Sequence, residues 1–206
     1  DDFVVGFEHK EDAERFLTDL VERFTKFGLE LKAEKTRLIE FGRYAAQKRK
    51  ARSQGKPETF DFLGFTHLCS VTRSGQFQVA RITILKRRRN KLRELNVEIK
   101  RRRHLPIPEQ GKWLRSVVRG HLAYYAVPGN LSAVSSFVFE MKRLWLMALR
   151  NRSQKTRMTW QRFVLLEARW LPRVRNLHPY PAQPFAVTHP RSDPSSVGPR
   201  AGTCAG

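Results

Sequence analysis

The chain has 206 residues, 40% of them hydrophobic, and its 40 Lys and Arg against 19 Asp and Glu give a formal net charge of +21 and a pI near 11.0. This composition is that of a globular protein, and the positive excess indicates a polyanionic partner, nucleic acid before a membrane surface. No apolar run approaches the roughly eighteen residues of a membrane span and no signal peptide opens the chain, so a cytoplasmic protein that does not enter the membrane is expected.

Two adjacent carboxylates, Asp1 and Asp2, stand directly before the apolar run Phe3–Phe7, which is typical of a buried strand. Neighbouring carboxylates repel each other unless a cation lies between them, and hard oxygen ligands suit Mg²⁺. The pair therefore predicts half of a magnesium site at a sheet edge, against the plainer interpretation of a solvated acidic turn. Residues 1–40 hold eleven acids and seven bases, a net of −4, whereas the rest of the chain carries +25. An acidic segment inside a basic chain favours local metal coordination.

Apolar residues at spacings of three and four predict an amphipathic helix from Glu11 to Phe27, ended by Gly28 in a left-handed conformation. A second strand is predicted at Leu38–Phe41, which would complete an α/β layer of strand, helix and strand.

Residues 42–58 are basic, polar and without periodicity, so they are predicted to form a loop, either over a charged ligand or as a solvated insertion. Strands are predicted at Phe60–Phe65 and Gln76–Thr83, with a hairpin at Ser74-Gly75.

A helix is predicted over Lys86–Arg103, with Leu85, Leu92, Leu95 and Ile99 on one face. The other positions hold ten Lys or Arg and two Glu, a net of +8. Like charges at i, i+4 destabilise a helix unless anions screen them, which favours phosphate contact over a merely solvated face. The residues predicted to bind RNA are Lys86, Arg87, Arg88, Arg89, Lys91, Lys100, Arg101, Arg102 and Arg103, with Arg119 on the following helix.

Three further helices are predicted, one around Trp113–Tyr125, one from a turn in which Asn130 is the N-cap, and one from Thr159. They are expected to pack as a small bundle, with Trp113, Phe137, Trp145 and Trp160 in its core. Cys69 and Cys204 are too far apart for a C-x-x-C pair and are predicted to be free thiols.

These motifs, in this order, resemble the reverse transcriptase and maturase of bacterial group II introns. Asp1–Gly6 resembles the end of the metal-binding Y-A-D-D box, Gly28–Thr36 the next palm motif, and Phe62–Phe65 the primer grip. The resemblance continues over the segments Arg119–Tyr125, Pro128–Asn130, Trp145, Leu149–Ser153 and His178–Pro181. The chain has no His-Asn endonuclease pattern and no zinc ligands, as in the lineage without an endonuclease.

The resemblance implies an α+β fold in which the remnant of a reverse-transcriptase palm over 1–83 is followed by an all-α thumb or maturase bundle over 84–180. The density of Pro, Gly and Ser separately predicts a tail over 181–206, without fixed structure from about Ser192 onward. The resemblance also implies Asp1, Asp2 and Lys35 as catalytic residues, with the two aspartates binding Mg²⁺ and Lys35 assisting the leaving pyrophosphate. It further implies that Phe62, Leu63, Gly64 and Phe65 contact the primer. The partners would be group II intron RNA and an RNA template with its DNA primer.

Two functions from different classes follow. The first is an RNA-directed DNA polymerase that copies intron RNA, of which this chain is a fragment without the fingers and without the separate carboxylate of the two-metal site. The second is a maturase that binds intron RNA and assists its splicing without polymerase activity. A generic basic RNA-binding domain would explain the charge but not the order of the motifs. His121 is interpreted as a core histidine rather than a catalytic base.

Overall fold

The computed structural model describes residues 2–32, 34–72, 74–152 and 158–179. Within these ranges the fold is mixed α+β, as predicted at that level, with six helices and one three-stranded antiparallel sheet. The elements in chain order are α1 (Lys10–Lys26), α2 (Ala45–Ala51), β1 (Phe60–Phe62), β2 (Phe65–Val71), β3 (Phe77–Thr83), α3 (Leu85–Arg102), α4 (Ile107–Tyr125), α5 (Leu131–Arg150) and α6 (Trp160–Trp170).

The strands predicted on either side of the first helix are wrong. Neither Phe3–Phe7 nor Leu38–Phe41 is a strand, and the side chains of Phe3 and Val4 are 54% and 53% exposed. A strand needs a neighbour that accepts and donates its backbone hydrogen bonds. The sheet of the described residues lies wholly within 60–83, and none of its strands pairs with either segment. The predicted α/β layer is therefore absent from this part of the chain.

The first predicted helix is confirmed as α1, and Gly28 ends it with a φ of +66°. Gly28 N donates to Thr25 O at 3.0 Å and Leu29 N donates to Phe24 O at 2.9 Å, which satisfies two carbonyls of the last turn. Ala13 is the one buried side chain of α1. Its apolar stripe is thus partly open to solvent.

The predicted loop over 42–58 contains a helix, α2. Its sequence of Ala, Gln, Lys and Arg has high helix propensity, but seven residues with Ala45 as the buried one are too few to show a period. Arg52 pairs with Glu40 at 3.3 Å and Arg49 with Glu58 at 3.7 Å, which ties α2 to the flanking segments.

The predicted hairpin at Ser74-Gly75 is confirmed. β2 and β3 pair antiparallel from Phe65 opposite Thr83 to Val71 opposite Phe77, and Gly75 has a φ of +79°. A second hairpin divides the run that was predicted as a single strand, because Phe62 pairs directly with Phe65. The two residues between them, Leu63 and Gly64, have φ of +46° and +83°, the signs that a type I′ turn requires.

Helices α3 to α6 share one core. α3 packs along α5, and α4 contacts both α5 and α6. Phe137 and Trp145 are fully buried as predicted, and Trp113 is half-buried. The prediction for Trp160 is wrong, because its side chain is 47% exposed. The fully buried side chains are Trp145, Phe137, Phe163, Ile99, Leu114, Met141, Leu149, Val118, Val134, Val138 and Asn130.

Gln110 is a buried polar residue, 2% exposed, at the start of α4. Its Nε2 donates to Arg103 O at 3.1 Å and to Leu105 O at 2.8 Å, while its Oε1 accepts from Trp145 Nε1 at 3.0 Å. All hydrogen-bonding atoms of the amide are thus used, and the α3–α4 connection is fixed to the centre of α5.

Asn130 joins the sheet to the bundle. It is the N-cap residue of α5, as predicted, but its side chain does not cap the helix. Instead its Oδ1 accepts from Thr83 N at 2.9 Å, and its Nδ2 donates to Thr83 Oγ1 and Tyr125 O, both at 2.8 Å. The end of β3, the end of α4 and the beginning of α5 are therefore held together by one buried amide.

Candidate nucleic-acid interface

The predicted basic helix is confirmed as α3, one residue shorter at its carboxyl end and one longer at its amino end. Its inward stripe, Leu92, Leu95 and Ile99, packs on the core. The remaining faces carry the cations. Of the residues predicted to bind RNA, the exposed ones are Lys86, Arg87, Arg89, Lys91, Lys100 and Arg101, together with Arg119 on α4, whereas Arg88, Arg102 and Arg103 are half-buried.

The two ends of α3 differ in how far their charge is already neutralised. At the carboxyl end Glu98 Oε1 accepts from Arg101 Nη2 at 3.0 Å and from Arg102 Nε at 2.5 Å. These two bonds, of which the one from Arg101 has the larger effect, hold the pKa of Glu98 below its usual value. The Arg102 guanidinium also lies 4.8 Å from the centre of the Trp113 ring.

At the amino end the exposed cations are Lys86, Arg87 and Arg89. Among the ion pairs that the described residues form, none includes these three side chains. Phosphate groups would therefore compete with fewer internal partners here than at the carboxyl end. The amino end of α3 is the better anion-binding surface of the two.

The β1–β2 turn packs against this same end of α3. Tyr124 Oη donates to Leu63 O at 2.6 Å, and Ile84 N donates to Gly64 O at 3.2 Å. A Cβ on Gly64 would lie 3.0 Å from Tyr125 Oη and 3.4 Å from Arg87 Nη1. Glycine is needed here both for its positive φ and because the protein's own side chains fill the space beside it.

The four residues predicted to contact a primer therefore differ in accessibility. Leu63 is 62% exposed at the tip of the turn, and Phe62 is half-buried. Gly64 is buried, and Phe65 is 7% exposed, its ring centre 5.7 Å from that of Tyr124 and 5.3 Å from that of Tyr125. The turn adjoins the amino end of α3 through Ile84 and Arg87. We call the exposed residues of these two neighbouring segments the turn–α3 surface: Leu63, Lys86, Arg87 and Arg89.

Of the residues predicted for catalysis and metal binding, Asp1 is outside the described residues. Asp2 is exposed in the segment before α1, which is neither helix nor strand. Lys35 is exposed in a short turn in which its backbone N donates to Lys32 O at 2.9 Å. Within the ranges that the structure covers, no three His, Cys, Asp or Glu side chains come together as metal ligands.

His121 lies on the inner side of α4 with its ring stacked on Phe137, the ring centres 3.7 Å apart. It is half-buried, and within the described ranges its Nε2 has no hydrogen-bond partner, so it is not the satisfied core histidine that was predicted. Burial, and then the nearby charge of Lys91, lower its pKa from 6.5 to about 4. The ring is therefore neutral in the folded state near pH 7.

This lowered pKa makes stability depend on pH. The unfolded chain takes up a proton on His121 near pH 6.5 and the folded chain only near pH 4, so the stabilisation present above pH 6.5 is lost as the pH falls through that window. We expect the loss to be about 1–2 kcal/mol, discounted because the ring is partly exposed. His121→Phe should remove this part of the pH dependence in urea unfolding at pH 7 and pH 4.5. The exposed His104→Gln variant should keep it, and an unchanged profile in His121→Phe would show that the ring ionises freely.

Sequence reasoning did not find the role of Tyr124 and Tyr125. Their adjacency near the end of a predicted helix was visible, but Leu63 lies 61 residues earlier in the chain than Tyr124. Only the folded arrangement brings the hydroxyl of one and the ring of the other to the β1–β2 turn. Two sequence signals mark this contact between α4 and the β1–β2 turn. One is the adjacent Tyr pair at the end of a predicted helix, and the other is the Leu-Gly pair flanked by Phe.

No helix in the described parts of the chain combines the length and the apolar character needed to cross a membrane. Comparisons with protein-family models, with characterised proteins and with solved structures find no match.

Proposed function

We propose that the chain is part of a group II intron reverse transcriptase and maturase, and that the described portion binds intron RNA. The order of the motifs from Asp1 to His178 supports the family assignment. The observation that carries the RNA-binding role is the turn–α3 surface, where Lys86, Arg87 and Arg89 are exposed on the first turn of α3 and Arg87 lies next to the β1–β2 turn proposed to grip a primer. Binding of intron RNA assigns the chain to the cytoplasm.

The charges suit a phosphate backbone better than a single base edge. Exposed cations spread around the first turn of a helix can each meet a different phosphate, and each phosphate that is neutralised releases bound counterions. Such contacts fix the position of the nucleic acid but do not read its sequence. Selection of one intron would then depend on its folded shape rather than on base contacts from α3.

The polymerase activity of the complete enzyme would involve Asp1 and Asp2. Their adjacent carboxylates are the hard oxygen donors that Mg²⁺ prefers, so the residue types fit. Two-metal phosphoryl transfer stabilises both the attacking and the leaving oxygen, and a pair of carboxylates from one turn supplies only part of its ligands. Lys35, exposed on its turn, is proposed to assist the leaving pyrophosphate.

The second candidate, a maturase without polymerase activity, is favoured by one contrast. The turn–α3 surface is fixed to the bundle core through Tyr124 and Asn130, whereas Asp2 lies in an exposed segment with no strand around it. RNA binding would thus need only the sheet and the helical bundle. In that case the chain would hold intron RNA in its splicing-competent fold, and the aspartates would be dispensable.

Primer extension on an RNA template with Mg²⁺ tests the polymerase role. We expect no incorporation above background from residues 1–206, because two adjacent carboxylates supply only part of the ligands that two-metal phosphoryl transfer needs. Incorporation that disappears in Asp1→Ala would contradict this expectation.

The same preparation should bind a folded group II intron RNA more tightly than a scrambled RNA of equal length, and equal affinity for both would contradict the family assignment.

A further inference from the structure

An open groove lies on the outer side of the bundle, between α5 and the beginning of α6. It has a volume of about 360 Å³ and is lined by Phe139, Arg143, Leu146, Met147, Arg150 and Trp160. This volume is at the small end of ligand-binding clefts. The groove is on α5 and α6, and the turn–α3 surface contributes none of its lining.

On α5 the groove uses a different face from the one that packs on the core, with apolar and basic residues side by side. Phe139, Arg143 and Met147 are four residues apart, so they share one face, whereas the core uses the face of Val134, Phe137, Met141 and Trp145. Phe139 is 51% and Met147 48% exposed. A helix that needs only to cover a core would carry polar residues at these positions.

Trp160, the aromatic wall of the groove, is held in place from behind. Its ring centre lies 5.7 Å from that of Phe163, which is fully buried and in turn 5.4 Å from Trp145 in an edge-to-face contact. Arg150 Nε donates to Met158 O at 3.1 Å, which ties the end of α5 to the residues just before α6. Trp160 is therefore a half-exposed aromatic surface that loses little conformational freedom on binding a ring.

We infer that this groove binds an unpaired base of single-stranded nucleic acid, with the base stacked on Trp160 and the adjoining phosphates held by Arg143 and Arg150. The inference rests on the proposed RNA-binding function and adds to it a base-binding site separate from the turn–α3 surface. Exposed aromatic rings beside cations are what single-strand binding uses, since every base has a face to stack and every nucleotide a charge to neutralise.

The charges select this occupant over an apolar helix or a second copy of the chain. Arg143 and Arg150 stand seven residues apart on the exposed side of α5, and Arg143 shares its charge with Glu140 at 3.3 Å. A packed apolar partner would have to desolvate Arg150, which has no carboxylate partner among the ion pairs of the described residues, as well as the Arg143–Glu140 pair. A phosphodiester chain supplies anions on either side of the base.

The test compares three probes on the full chain at one salt concentration: an oligouridine of about twelve nucleotides, an abasic phosphodiester strand of the same length, and an RNA duplex of equal charge. Trp160→Ala should weaken oligouridine binding at least about fivefold and change the affinity for the other two probes less than twofold. Trp160→Phe should restore most of the loss, because it keeps a ring. Arg150→Gln should make the salt dependence of oligouridine binding less steep by about 0.7.

Leu165→Ala is the matched control, since Leu165 is a 73% exposed apolar residue of α6 outside the groove, and it should leave all three affinities unchanged. Thermal unfolding monitored by circular dichroism verifies that each variant is folded. Base binding in the groove is contradicted if Trp160→Ala loses equal affinity for the base-containing and abasic strands. It is also contradicted if Trp160→Ala loses no affinity while the wild type still binds RNA. Either result leaves the proposed function standing. Absence of RNA binding in the wild type overturns both base binding in the groove and the proposed function. Concentration-dependent self-association that Trp160→Ala abolishes would assign the groove to a second copy instead.

Discussion

Replacing Lys86, Arg87 and Arg89 together by Gln is expected to weaken RNA binding about a hundredfold near 0.15 M salt. Each phosphate contact contributes about 0.7–0.9 to the slope of log affinity against log salt, which is roughly a four- to fivefold effect at that concentration. Three lost contacts should therefore also make the slope less steep by about two to three units. Fluorescence anisotropy titrations of a labelled RNA across a series of salt concentrations measure both quantities.

The matched control removes the same charge from another surface. Lys112, Arg173 and Arg175 are exposed cations outside α3, and their triple Gln variant should lose much less affinity. Arg101, Arg102 and Arg103 provide a second comparison, with an intermediate effect, because Glu98 already binds two of them. If the control variant lost as much affinity as the Lys86, Arg87 and Arg89 variant, binding would depend on net charge and the turn–α3 surface would have no special role.

Trp145→Ala is expected to lower the free energy of unfolding by about 3–5 kcal/mol. The side chain is fully buried where α4, α5 and α6 meet, so its removal leaves a cavity lined by Phe163 and its neighbours. It also removes the donor to Gln110 Oε1, which then stays buried without a partner. Since small domains are stable by about 5–15 kcal/mol, this loss brings the bundle close to unfolding at 25 °C. Urea denaturation followed by circular dichroism measures it.

Phe139→Ala is the control for this prediction. Phe139 is an aromatic residue on the same helix, but it is 51% exposed and faces the α5–α6 groove. Its removal should cost less than about 1 kcal/mol. Similar small losses in both variants would contradict a single core centred on Trp145.

The bundle was predictable because its information is local. The spacing of Leu92, Leu95 and Ile99 identifies both the helix and its inner face without reference to any distant residue. The predicted strand at Phe3–Phe7 failed for the opposite reason, because its sequence favours a strand but a strand exists only beside a partner. The prediction that Trp160 lies in the core was wrong because an apolar stripe indicates which residues share a face and not what covers that face.

The candidate site shows the same division. The cations of α3 are readable from composition, but the difference between its two ends depends on Glu98 bonding back to Arg101 and Arg102. The space beside Gly64 is filled by Tyr125 and Arg87, and Asn130 binds Thr83 instead of capping α5. Both arrangements join residues that are far apart in the sequence. Neither the spacing of apolar residues nor helix or strand propensity predicts these contacts. The metal ligands Asp1 and Asp2 stay a prediction from sequence.

RNA is proposed to lie on the turn–α3 surface. Ultraviolet crosslinking of the full chain to a folded group II intron RNA, followed by mass spectrometry of the crosslinked peptides, locates the bound RNA on the protein. We expect crosslinks concentrated between residues 60 and 103, at the β1–β2 turn and along α3, and their loss in the Lys86, Arg87 and Arg89 variant. Crosslinks confined to α1 and α2, undiminished in that variant, would contradict this placement of the RNA.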